Sequence, residues 1–160
     1  MVTNQEYFTV ELASEITLAI PLDEMGTVTQ FERTNICTVP GIADFWYGVG
    51  NHNGSLLWLL DSDRFFELEL QSRKPKPKLT AVTIENQQFG KRKRVAIVIQ
   101  HLKGIMTLDK SDISSVDEAY PQLNRCCSTI ARIDETRIVH IVDSAALLEQ
   151  LFQRSMLAST

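Results

Sequence analysis

The sequence predicts an all-β domain closed by one C-terminal helix, with its strands shared between two small barrels. Three observations lead there. Apolar runs are short, follow a strand-like pattern and recur at regular spacing between turn signals. A Lys/Pro stretch from Gln71 to Lys78 (QSRKPKPK) cannot join a ladder and separates two sets of strands. The apolar period changes to that of an amphipathic helix only after Asp143.

Taken in order, Tyr7 to Leu12 alternates in its second half. Ile16-Thr17-Leu18-Ala19-Ile20 places Ile16, Leu18 and Ile20 on one face of a half-buried strand. Pro21 has no N–H to give a ladder, so that strand ends there or lies at an edge. A turn and a strand through Phe31 follow, then a short extended piece, Ile36 to Val39, stopped by Pro40-Gly41. Phe45 to Val49 leads into a turn-rich stretch in which Asn53-Gly54 is a hairpin signal, because a type I′ turn needs positive φ at both centres. Ser55 to Leu60 (SLLWLL) reads as a strand buried on both faces. These elements make a first barrel over about 12–70, and the linker covers 71–78. A second barrel over about 79–142 contains Leu79 to Glu85 and Arg92 to Ile99 around a loop at Asn86–Gly90. It continues with Gly104 to Leu108 and a hairpin of Ser128 to Ile133 and Thr136 to Val142. Asp143 caps a helix over about 143–156, with Leu147, Leu148, Leu151 and Phe152 as its packed face.

A chain of 160 residues buries roughly 70% of the surface its unfolded form exposes, so the fold needs no metal or disulfide staple. The hydrophobic and charged fractions, 44% and 22%, exclude a disordered tail. Three Cys, two of them adjacent, do not make a disulfide framework and suit a reducing cytosol. The N-terminus has no basic and apolar leader, and no run reaches the ~18 apolar residues of a membrane span. The net charge of −4 hides a division. Residues 1–70 carry 11 acids against Arg33 and Arg64, residues 71–110 carry ten bases against Glu85 and Asp109, and residues 111–160 carry seven acids against four Arg. Such a directional field suits different faces for different partners.

No residue pattern makes a catalytic or metal site, and no cofactor is expected. His52, His101 and His140 are far apart and outside ligand spacing; His52 falls in a turn, and the other two are expected to face outward. Cys37, Cys126 and Cys127 form no C-x-x-C and read as small buried hydrophobes. Asp61 and Asp63 read as caps of a short helical turn, Ser62 to Phe66. Gly48, Gly50 and Gly54 have the wrong spacing for a dinucleotide loop, and a strand follows them. The run Lys91-Arg92-Lys93-Arg94 is the best candidate nucleic-acid patch, since small barrels do bind nucleic acids. Against that reading, Phe89 is the only aromatic nearby and the pI is about 5.4. An edge-guarding hairpin, or one that docks on an acidic partner, is the preferred reading, with no nucleic acid among the partners.

Residues 39–61 carry a resemblance. Val39-Pro40, then Trp46 to Gly54 (WYGVGNHNG), then Leu56 to Asp61 (LLWLLD) are similar to the central signature of the CheW-like family. Ala19 to Leu22, Arg94 to Ile105, Ile130 to Asp134, and Ile138 to Asp143 followed by Ala146-Leu147-Leu148 resemble its other blocks in order. The resemblance implies a single domain over 7–157, built as two SH3-like barrels sharing a hydrophobic core. It also implies a non-enzymatic adaptor, cytoplasmic and associated with receptor arrays. Such an adaptor couples methyl-accepting chemoreceptors to a CheA-type histidine kinase in chemotaxis, phototaxis or pilus motility. The interaction residues it points to are Thr27, Gly48, Asn51, His52, Asn53 and Gly54, joined by Lys91, Arg92, Lys93 and Arg94. Gly48 is read as a position of close approach for a partner's backbone. The chain departs from the family pattern at Asn53, where Arg is usual, and at Thr27, where Glu is frequent. Ala96 and Gln100 stand where Gly and Asp are common. Loss of both members of a charge pair leaves no orphan charge.

Overall fold

A computed structural model describes residues 4–68, 76–88, 91–115, 120–127 and 129–158. The chain starts one sheet, builds a second, and returns to finish the first. Strands β1 (Asn4–Glu11) and β2 (Thr17–Pro21) come first. Next come β3 (Met25–Glu32), β4 (Trp46–His52), β5 (Ser55–Asp61), a one-turn helix α1 (Ser62–Phe65), β6 (Lys78–Gln88) and β7 (Lys91–Ile99). Strands β8 (His101–Asp109) and β9 (Ile113–Ser115), helix α2 (Pro121–Cys126), β10 (Thr129–Arg132), β11 (Ile138–Ile141) and helix α3 (Ser144–Ala158) complete the fold. One curled sheet has the order β8-β1-β2-β11-β10-β9, and the other β3-β6-β7-β5-β4. Each holds one parallel pair, β2 with β11 and β5 with β7.

The predicted class, mostly β with a C-terminal helix, is what the chain adopts. The expected barrel boundary is corrected. β6 and β7 pair with β3 and β5, so both sides of the Lys/Pro stretch belong to one sheet. The first sheet draws on the two ends of the chain and the second on its middle. Period-two patterning identifies a strand but does not say which strand it pairs with, and a Pro-rich connection can stay within one sheet. Residues 71–75 of the linker lie outside the described residues. The 86–90 loop is shorter than expected. β6 runs to Gln88, which pairs with Lys91, leaving two residues between the strands.

The two sheets share one core. Val10, Leu12, Ile16, Leu18 and Ile20 of the first pack with Leu60, Val82, Ile84, Val95, Ile97 and Ile99 of the second. Leu147 and Leu151 of α3, with Leu123, Cys126 and Cys127, complete it. Each sheet also fills its own inner face, the second with Phe31, Leu57, Leu59, Leu79, Ala81, Ala96 and Val98 and the first with Tyr7, Ala19, Leu108, Ala131, Val139 and Ile141. β2 ends at Pro21, as the missing N–H requires. Asp143 caps α3, accepting from the Ala146 N–H at 3.1 Å.

Several expectations for single residues change. Phe152 is 60% exposed and sits outside the core. β5 is not buried on both faces throughout, since Leu56 and Trp58 point into solvent while Leu57 and Leu59 point inward. His140 is buried, its ring edge-on to Tyr120 at 6.4 Å, because β11 is an internal strand. Cys37 is exposed, while Cys126 and Cys127 are buried as expected. The piece at 36–39 forms no strand beyond one bridge from Cys37 to Val49.

Candidate functional site

The β4–β5 hairpin gathers four of the candidate residues at one tip. His52 pairs with Ser55 across the turn. Asn53 and Gly54 have φ of 50° and 82°, the positive pair a type I′ turn demands. The Asn51 side-chain oxygen accepts from the Gly54 N–H at 3.0 Å and locks the turn. The Asn53 amide lies 3.4 Å from His52 Nε2. Asn51, Asn53 and Gly54 are exposed and His52 is half-buried, so the tip offers polar groups to a partner on a stiff support.

Gly48 does not belong to this surface. It is buried, with φ of 138°, beside a bulge in the β4–β5 ladder. The backbone that approaches it belongs to this chain. Cys37 donates to Val49 O at 2.9 Å and accepts from Val49 N at 2.8 Å, passing directly over Gly48. Gly50 is similarly closed in, since a Cβ there would stand 2.7 Å from the Phe31 ring. That contact shows how far the second sheet curls, because Phe31 lies on β3 and Gly50 on β4, the two edges of the five-stranded order.

Thr27 is exposed on β3, at a bulge opposite β6. Its hydroxyl is 3.5 Å from Thr29 Oγ1. The side-chain bonds of Thr27 and Asn53 therefore go to sequence neighbours and not to each other.

The basic run forms the start of β7. Arg92, Lys93 and Arg94 are exposed, and Lys91 faces Gln88 in the register. Two of the charges are already engaged. The Arg92 guanidinium pairs with Glu85 on the neighbouring strand. The Lys93 ammonium lies 5.9 Å from the centre of the Phe152 ring. Neither arrangement presents a line of cations to a phosphate backbone.

The sequence reading missed a buried carboxylate. Asp63, 5% exposed, accepts from the Ala13 N–H at 2.8 Å with one oxygen and from the Gln100 amide at 2.9 Å with the other. It thereby ties the turn after β1 to the junction of β7 and β8. The Gln at position 100, noted as a departure, is the donor this carboxylate uses. Asp61 does act as the expected cap, accepting from Arg64 N at 3.2 Å. Arg33 was also unmarked. It donates to Lys76 O at 2.7 Å and stacks 5.5 Å from the Tyr47 ring. Burial first, and then the Asp61 charge, push the Tyr47 hydroxyl above its usual range.

A cleft of about 650 Å³ opens on the first sheet, where Glu11 and Lys103 pair at 3.0 Å. Among the described residues no group of His, Cys, Asp and Glu could hold a metal ion, and no helix is long and apolar enough to cross a membrane.

Two curled sheets sharing one core, with an exposed hairpin tip and an outward apolar face, define a β-barrel binding domain. The comparisons place it more narrowly. The family model described as CheW-like domain matches residues 6–152, and the chain belongs to that family. That membership carries a chemotaxis scaffold or adaptor role in general terms. The fold is similar to that of the scaffolding protein TtCheW from Thermoanaerobacter tengcongensis, with a TM-score of 0.66 over 87% of this chain and 88% of that one. At 13% identity the likeness is one of fold. No curated protein matches the sequence.

Proposed function

We propose that this chain is a non-enzymatic adaptor that couples chemoreceptors to a CheA-type histidine kinase. The observation that carries the reading is the family match over 6–152, which takes in both sheets, the shared core and most of α3. The adaptor works by presenting faces and not by chemistry. The β4–β5 tip, Asn51 to Gly54, and the exposed β3 edge at Thr27 are the proposed receptor-side contacts. The start of β7, Lys91 to Arg94, is the proposed kinase- or receptor-side electrostatic contact. Asn53 and Thr27 replace the family's usual charge pair with neutral groups, which suits a partner that offers hydrogen bonds there and not a salt bridge. The site of action is the cytoplasmic receptor array.

The test is a pull-down of the purified chain with a CheA-type kinase and receptor from the same cell. Specific retention supports the reading, and retention lost on Asn53→Ala supports the tip as a contact. Failure to retain any such kinase or receptor overturns it. Substituting Arg92, Lys93 and Arg94 with Gln should slow association at low salt and matter little near 1 M salt, where the Debye length is ~3 Å.

A further inference from the structure

We propose that Leu56 and Trp58 of β5 with Phe152 of α3, joined by Lys93 of β7, form a docking surface for an acidic amphipathic segment of a partner protein. Leu56, Trp58 and Phe152 are 68%, 39% and 60% exposed, while Leu57 and Leu59 between them are buried. Geometry joins the three into one patch. Trp58 packs edge-on against Trp46, ring centres 5.5 Å apart. Trp46 Nε1 donates to Ser155 Oγ on α3 at 3.2 Å, one turn beyond Phe152. The parallel register that sets Leu59 level with Ala96, carried back three residues, sets Leu56 level with Lys93. The Lys93 ammonium in turn lies over Phe152. The patch thus continues the shared core outward past Leu60 and Val95, whose side chains share its face.

Two features select the occupant. Trp58 is held by Trp46 before any partner arrives, so little ordering cost remains on binding, and a fixed, partly exposed tryptophan is a frequent anchor of binding hot spots. The charge on the patch's own face is that of Lys93, while Arg92 and Arg94 alternate to the other face of β7, where Arg92 pairs with Glu85. Glu149, one turn before Phe152 on α3, is turned to Gln153 at 2.9 Å. A segment with an apolar stripe flanked by carboxylates matches the apolar face and its Lys93 cation, and one flanked by Lys or Arg is disfavoured. This surface adjoins the β4–β5 tip, where Leu56 pairs with Asn51, and its occupancy by such a segment does not depend on the kinase reading.

The test uses the intact chain and two synthetic 18-residue helical peptides with the same Leu stripe, one flanked by Glu and one by Lys. The protein's two tryptophans, Trp46 and Trp58, both belong to the patch, so intrinsic fluorescence reports it alone. The Glu peptide is expected to shift the emission and saturate with a Kd at least tenfold below that of the Lys peptide. Phe152→Ser and Leu56→Ser, both at exposed positions, should each weaken it tenfold or more with the thermal melt unchanged. Equal binding of the two peptides, or binding indifferent to both substitutions, overturns the proposal. Concentration-dependent self-association in sedimentation, abolished by the same substitutions, also overturns it by giving the face to a second copy of the chain. A failed kinase pull-down would leave the titration untouched, so the two readings fail separately.

Discussion

A Cβ placed on Gly48 would overlap the carbonyl oxygen of Cys37 and stand 2.8 Å from its carbonyl carbon. The φ of 138° at Gly48 adds backbone strain for any other residue. Gly54, by contrast, has φ of 82° and open space around it. Gly48→Val should therefore cost more than about 3 kcal/mol, from strain and overpacking together. Gly54→Ala should cost only about 1–2 kcal/mol, the left-handed penalty alone. Urea unfolding of the two variants checks this, and equal losses would refute the steric account.

Leu147 is 1% exposed and Phe152 is 60% exposed on the same helix. Leu147→Ala should destabilise the fold by about 2–5 kcal/mol, as truncation of a fully buried Leu does. Phe152→Ala should change stability by less than about 0.5 kcal/mol. If the two proved equally costly in thermal melts, α3 would be packed by a different face from the one described.

The period of α3 and its Asp143 cap were legible because both depend on local spacing. The Asn53-Gly54 turn was legible for the same reason, its two positive φ values being a property of the dipeptide. Sheet membership was not legible. Nothing local in Lys78 to Ile99 says that these strands pair with β3 and β5, and a visible linker invites a cut that the pairing does not follow. Leu56 and Trp58 misled because an all-apolar run carries no alternation to show where the core stops. His140 and Cys37 exchanged their expected burial for a topological reason, since an internal strand buries what it carries and a single bridge does not. Asp63 was read as a local cap, while its partners Ala13 and Gln100 lie 50 and 37 residues away.

Asp63 holds two distant donors, so its loss strands both. Asp63→Ala should cost about 1–3 kcal/mol by leaving the Ala13 N–H and the Gln100 amide without their acceptor. Asp63→Asn keeps one acceptor oxygen and should cost less. Hydrogen exchange at the Ala13 amide should quicken in the Ala variant and change less in Asn. Unaltered exchange in both would show that the carboxylate does not clamp that turn.

The three thiols should divide by burial. Cys37 is exposed, and Cys126 and Cys127 are buried in the shared core. Burial pushes the Cys126 thiol up to about 12, and burial followed by the neighbouring Cys126 pushes Cys127 well above its usual range. At pH 8 a thiol with a pKa near 12 is ionised in only about one molecule in ten thousand, and the thiolate is the reactive form. A disulfide reagent should therefore titrate one thiol in the native protein and all three in guanidinium. The sign of the accompanying pH dependence is set by the same shift. Unfolded thiols ionise near about pH 8.5, so above that pH the unfolded chain releases protons that the native core retains. Stability from Cys126 is complete below about pH 8.5 and is lost as pH rises through about 12, and Cys127 contributes in the same direction. Rapid labelling of three thiols at pH 8, or stability that climbs above pH 9, would contradict the burial of Cys126 and Cys127. With Cys126→Ala and Cys127→Ala together, the alkaline loss should flatten while the single native-state thiol count persists.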